Sequence, residues 1–220
     1  MKNENEEREE LKMKLIDMKV KDYLDLLKSD SPAPGGGSVS ALTGAQGLAL
    51  MLMVADLTLT KEKYHADHAL CQKVKEDGLP LYQSLAEAID RDTDAYNTVF
   101  AAYKLPKETD DDKAARSKAI GDANLLATQV PFEVMRQSYE GLQLVSKLVN
   151  HSNSNAVSDL GVAATCLETA VKGAWLNVSI NLPGVKDPDQ AKHFEETGRS
   201  IYNESIRLAN RIVESIRQSL

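Results

Sequence analysis

An all-α fold of about six helices is what this sequence predicts, and three observations predict it. Apolar residues recur at helical spacing along almost the whole chain. No run of alternating β-branched residues is long enough to form a half-buried strand. Proline and glycine fall in short clusters that cut the chain into helix-length segments.

Taken in order, the segments are 7–27, 38–59, 61–103, 110–149, 156–180 and 188–219. The first ends before the break Pro32 to Gly37, and Ser38 can cap the second. Within the second, Ala41, Gly44, Ala45 and Gly47 place small residues where another backbone must approach closely, because each glycine costs about 1 kcal/mol of helix propensity. This helix is expected to be central. The third segment carries Gly78 and Pro80 and the fourth Pro131, all candidate bends. Pro106 separates these two segments, and Thr109 can cap the fourth. The fifth follows a polar start, Ser152-Asn-Ser-Asn-Ala-Val-Ser-Asp159, and ends at Pro183 and Gly184, before the sixth.

The chain has 220 residues, 42 % of them apolar, which is enough to bury a sizeable core as a single domain over 1–220. Thirty-three acidic against 26 basic side chains leave a formal charge of −7, and aromatics make up only 5 %. Nucleic acid is therefore a poor partner, since neither a basic surface nor stacking platforms are available. Cys71 and Cys166 form no CxxC pair or disulfide framework, which suits a reducing compartment. The charged N-terminus lacks a signal-peptide core, and the longest apolar or glycine run, 47–55, is shorter than a membrane span. A cytoplasmic protein without a membrane partner is expected.

Two polar clusters have ordinary explanations. Glu108 and Asp110 to Asp112 flank Thr109, at a helix start whose positive end favours carboxylates. His65 and His68 are one turn apart, but two histidines without a placed third ligand fall short of a metal site.

Three segments are less generic. Pro32-Ala-Pro-Gly-Gly-Gly-Ser-Val39 runs through three glycines into a helix start, where exposed amides can meet an anion or a polar ligand edge. Next, Leu81, Leu85, Ala88, Asp92, Tyr96, Val99 and Tyr103 succeed one another at steps of four or three, within an arc of roughly 80°, with Asp92 near its middle. One carboxylate therefore points toward the core. Asp90 and Asp94 lie about 200° round the helix and are expected to be solvated. A carboxylate on an apolar stripe must be paired, protonated or used. The third segment is the fifth helix, whose stripe runs from Asp159 through small residues to Asn177 and Asn181. Asp159 and Asn177 stand about 27 Å apart on a straight helix. Either one of them is structural or a two-fold partner completes the site.

Together these segments resemble the cyclodeaminase family, the C-terminal half of formiminotransferase-cyclodeaminase and its stand-alone relatives, among them methenyltetrahydrofolate cyclohydrolases. The resemblance rests on Ser31 to Val39, on Leu57-Thr58 with Lys61 and Lys63-Tyr64, on Asp92 with Ala95-Tyr96, on Leu105-Pro106-Lys107, and on Asn155 to Asp159 through Ala174 to Asn177, Ile180, Asn181 and Leu182. It implies an up-and-down helical bundle, a homodimer, and an active-site cleft associated with the subunit interface. Asp92 is then the catalytic acid/base, with no metal or redox cofactor in the route. Gly35, Gly36, Gly37 and Ser38 are implied to line a folate pocket, Asp159 and Asn177 to supply polar contacts, and Lys61, Lys63 and Lys107 to meet glutamate carboxylates. The implied activity is formiminotetrahydrofolate cyclodeamination, with methenyltetrahydrofolate cyclohydrolysis or a non-catalytic folate-binding module as alternatives, and a separate formiminotransferase as a possible partner. Asp56, Glu62, Ser152 and Ser154 depart from the family pattern, which leaves substrate preference and tail binding open.

Overall fold

The computed structural model describes residues 13–220, and among them every regular element is helical. Six α-helices follow one another: α1 Val20–Leu27, α2 Gly36–Leu59, α3 His68–Tyr103, α4 Asp110–Leu148, α5 Val157–Asn181 and α6 Pro188–Arg217.

Helix α2 sits at the centre, packed along α3 on one side and α5 on the other, while α4 spans α3 and α5 and α6 closes against α5. Its small residues explain that position. A Cβ on Gly44 would stand 2.9 Å from Ser138 Oγ, and one on Gly47 would stand 2.8 Å from Leu167 Cγ and 2.9 Å from the Ala163 carbonyl oxygen. The core between these helices includes Leu48, Met51, Leu85, Met135, Leu142 and Leu167, all fully buried. By length and composition α2 could cross a membrane, but more than half of its most apolar stretch is buried inside the bundle. The rest of α2 shows an apolar outer face with Met53 and Leu57 exposed.

Three expectations need correction. Of the predicted helix 7–27, residues 7–12 lie outside the described residues. The remainder is a 3₁₀ turn at Leu15–Asp17, an extended link, and α1 from Val20. The reason is a long-range bond: the Leu15 N–H donates to Asp90 Oδ1 at 2.6 Å and the Ile16 N–H to Asp90 Oδ2 at 3.3 Å. Asp90 is therefore not a solvated carboxylate but an anchor for this segment. The predicted helix 61–103 opens as 3₁₀ turns over Glu62–Asp67, with Tyr64 off helical geometry, and becomes α-helical at His68. Neither α3 nor α4 is divided at its proline: both helices are continuous through Pro80 and Pro131. Gly78 makes room rather than a break, because a Cβ there would stand 2.5 Å from Met51 Cε.

Helix α4 begins as its sequence predicts. Thr109 Oγ1 accepts the Asp112 N–H at 3.0 Å, Asp112 Oδ2 accepts the Thr109 N–H at 3.0 Å, and this capping box contributes about 1 kcal/mol. His68 Nε2 pairs with the Lys61 carbonyl, and among the described residues no cluster of three metal-ligating side chains forms around the two histidines.

Candidate active site

The cap expected of Ser38 is not made, because Ser38 lies inside α2; Gly35 precedes the helix in extended geometry and has no side-chain oxygen to offer. The first N–H groups of α2 need a partner, and the positive end of the helix favours an anion. Asp92, brought in by α3, stands at that end with its carboxylate beside the Ser38 amide. The carboxylate lies flat against Gly37, where a Cβ would stand 2.0 Å from Oδ1 and 2.4 Å from Oδ2. Only glycine leaves this space.

Ser38 sits beneath the carboxylate, fully buried. Its hydroxyl donates to the Ile89 carbonyl at 2.7 Å and lies 3.4 Å from Asp92 Oδ2 and 3.2 Å from Thr93 Oγ1. Burial pushes the Asp92 carboxyl above the usual carboxylate range, and the Ser38 amide and hydroxyl pull it back less strongly. Burial also raises the Tyr23 phenol, with the nearby Asp92 charge as a second cause. The Tyr23 hydroxyl is buried without a hydrogen-bond partner among the described residues.

One face of Asp92 opens into a cavity of about 280 Å³, just under the usual range of small-molecule pockets, about 300–1,000 Å³. Its floor is Gly35, Gly36 and Gly37, one wall is Asp92, Thr93, Ala95, Tyr96 and Val99 of α3, and the other is Asn177, Ile180 and Asn181 of α5 with Ala127 of α4. Pro32 and Ala33 close the side. Asn177 stands 3.5 Å from where a Gly36 Cβ would be and donates to the Gly173 carbonyl at 2.9 Å. Asn181 donates to the Ala127 carbonyl at 2.7 Å, tying α5 to α4 at the cavity's edge. Mostly apolar walls around one carboxylate with a raised pKa suit proton transfer to a flat, polar-edged heterocycle.

Of the residues singled out from sequence, Asp92, Gly35, Gly36, Gly37 and Asn177 come together here. Ser38 is close but supports Asp92 from behind instead of lining the space. Lys61 and Asp159 do not join them within one chain. Both lie at the other end of α2, where the Asn153 N–H donates to Thr58 Oγ1 at 2.9 Å and Tyr64 meets Ser154 at 3.1 Å, about 30 Å from Asp92 along the helix. Asp92 itself is half-buried at a cavity edge, not submerged in the core, and Tyr96 and Tyr103 further along its stripe are 41 % and 53 % exposed. Thr93, Asn181 and Ala127 were not predicted as site residues. Thr93 is adjacent to Asp92 and Asn181 ends the fifth-helix stripe, whereas Ala127 carries no local signal.

Residues 19–200 match the model of the formiminotransferase-cyclodeaminase family. Methenyltetrahydrofolate cyclohydrolase of Methylorubrum extorquens is 35 % identical over 201 residues, covering 91 % of this chain and 97 % of that one. Formimidoyltransferase-cyclodeaminase of Dictyostelium discoideum is 34 % identical over 206 residues, 94 % of this chain but 35 % of that much longer protein. Among solved structures, formiminotetrahydrofolate cyclodeaminase from Thermotoga maritima shares the fold, with a TM-score of 0.75 and 24 % identity over 92 % of this chain and 96 % of that one.

Proposed function

The chain belongs to the formiminotransferase-cyclodeaminase family, and from that premise we propose that it is a folate one-carbon enzyme that opens the 5,10-methenyl bridge of tetrahydrofolate, a methenyltetrahydrofolate cyclohydrolase, its whole length working as one domain. The observation that carries the chemistry is Asp92: a single carboxyl, its pKa raised by burial, facing a cavity with mostly apolar walls. What supports this reaction over ring closure with loss of ammonia is the cyclohydrolase name of the Methylorubrum extorquens relative, 35 % identical and matched over 97 % of its length.

Water adds to the methenyl carbon, and Asp92 takes the proton from the attacking oxygen. The tetrahedral carbon then breaks its bond to N5, which receives that proton from Asp92, while the hydroxyl proton leaves to solvent. The product is 10-formyltetrahydrofolate. The ionised carboxylate also faces the cationic amidinium carbon and favours it electrostatically. No step requires a metal or redox cofactor.

The cyclodeaminase reading is favoured by the name of the matched family and by the relatives fused to a formimidoyltransferase. There N10 attacks the formimino carbon on N5, and Asp92 passes a proton to the departing ammonia. A separate formiminotransferase would then be a partner. Purified protein given methenyltetrahydrofolate is expected to bleach its near-ultraviolet absorbance faster than the spontaneous reaction. Given formiminotetrahydrofolate, a cyclodeaminase would instead build that absorbance and release ammonia. A well-folded protein inert toward both would be a binding module.

The placement of Lys61 and Asp159 supports a homodimer. The outer faces of α2 and α5 expose Met53, Leu57, Val162, Leu176 and Ile180, the last two at 70 % and 77 %. A two-fold pairing that runs α2 antiparallel to its copy buries these faces and carries the Lys61 end of one protomer to the Asp92 end of its partner. Sedimentation at assay concentration is expected to show twice the 24.1 kDa chain, and a single-chain species with full activity would dismiss the pairing.

A further inference from the structure

The cavity beside Asp92 is too small for a whole folate, so most of the substrate must lie outside it. The wall formed by α3 shows where. From Asp92 the lining continues through Tyr96 to Val99, and the next residue on that face is Tyr103 at the end of the helix. These positions rise about 6, 10 and 16 Å above Asp92. Tyr96 and Tyr103 are exposed, in a protein otherwise poor in aromatic residues.

Two cations stand at the far end. Lys104 Nζ lies 4.0 Å from the centre of the exposed Phe100 ring. Arg116, reaching over from α4, donates through Nη2 to the Tyr103 carbonyl at 3.0 Å and sits 5.6 Å from the Tyr103 ring. Its Nε is buried and has no partner among the described residues. Of the carboxylates beside them, Asp112 is turned into its capping box, Asp110 to Lys113 and Glu108 to the Lys107 amide, while Asp111 is exposed. Lys104 and Arg116 pair with no carboxylate among the described residues. Arrangements of this kind, an aromatic rail ending in a guanidinium fork and an ammonium, suit an aryl group followed by a carboxylate.

We infer that the α3 face beyond Asp92 is the seat of the substrate's tail: Tyr96 and Val99 carry the p-aminobenzoyl ring, and Arg116 with Lys104 meets the glutamate carboxylates. The inference rests on the folate reading above. A benzoyl ring, an amide and a glutamate side chain span on the order of two to three helical turns, ~11–16 Å, which matches the rise from Asp92 to Tyr103. Of the other cations considered for this role, Lys107 follows in the same link between α3 and α4, whereas Lys61 and Lys63 stand at the opposite end of the same chain and reach this end only from a two-fold partner.

The test compares 5,10-methenyltetrahydrofolate with its pteroate analogue, which lacks glutamate, in kinetics and in calorimetric binding of the corresponding 5-formyl compounds. Wild-type protein is expected to favour the glutamate-bearing compound about tenfold in KM and Kd. Lys104→Glu should abolish that preference, and Tyr96→Ala should raise KM about tenfold for both compounds with a much smaller change in kcat. Lys113→Glu, the same charge change off this face, should keep the preference. Equal affinity of the wild type for the two compounds, or an undiminished preference in Lys104→Glu, overturns the tail site. If the wild type binds with the expected preference but turns over neither folate, the catalytic reading fails and the tail site stands.

Discussion

Asp92→Asn is expected to lower turnover by about a hundredfold or more while making the protein more resistant to heat at neutral pH. The first half follows from chemistry: removing a general acid or base costs about 10²–10⁴ in rate, and the amide neither takes the proton from water nor returns one to N5. The second half follows from burial. The carboxyl of Asp92 titrates higher in the folded chain than an exposed aspartate does, because burial penalises its charged form. A carboxyl whose pKa rises on folding favours the native state most at pH below its unfolded value, and that contribution is lost as pH climbs through the folded value. At neutral pH the native protein therefore carries the cost of an ionised group that asparagine, shaped like the protonated acid, does not impose.

The gain in melting temperature should accordingly shrink as pH falls toward the ordinary aspartate range, about 3.9, and vanish below it. Turnover in the wild type should rise with pH along a limb set by the same carboxyl, displaced upward from that range. Melting curves at neutral and acid pH, with initial rates on the same preparations, check both parts. Near-native turnover in the variant would show that Asp92 is not the acid of this site, and lower thermal resistance at neutral pH would show that its charge supports α2 more than burial penalises it.

Asp92 was legible in the sequence because a helical stripe supplied its own control, with Asp90 and Asp94 on the other side. The central place of α2 was legible for a similar local reason, since repeated small residues have little use except close approach, and Gly44 and Gly47 meet side chains at under 3 Å from a would-be Cβ. What stayed hidden was long-range pairing. Asp90 looks like any solvated helix aspartate until the amides of Leu15 and Ile16, some 75 residues away, bind it. The cavity's far wall comes from α5 and from Ala127 of α4, which no spacing rule connects to Asp92. Lys61 and Asp159 share a family pattern with Asp92 but not its end of the helix, a separation that only the path of α2 reveals.

Gly37→Ala should come close to Asp92→Asn in lost turnover, with the opposite effect on stability. The added methyl carbon would lie 2.0 Å from Asp92 Oδ1, 2.3 Å from Cγ and 2.4 Å from Oδ2, well inside any real contact. Either the carboxylate swings off the start of α2 or the helix retreats, and both moves break the contact between the acid, the Ser38 amide and the cavity floor. Overpacking of this kind costs about 1–3 kcal/mol, with melting lowered by roughly 2–4 °C per kcal/mol in a chain of this size. Gly35→Ala is the control for stability, because a Cβ there meets nothing within 4 Å and its φ of −128° suits any residue. That variant should melt within about 2 °C of the parent, as expected where the added methyl group causes no strain. Should Gly37→Ala keep both its melting temperature and its turnover, the carboxylate does not need the space that only glycine leaves, and the geometry that singles out Asp92 as the acid of this site would lose its support.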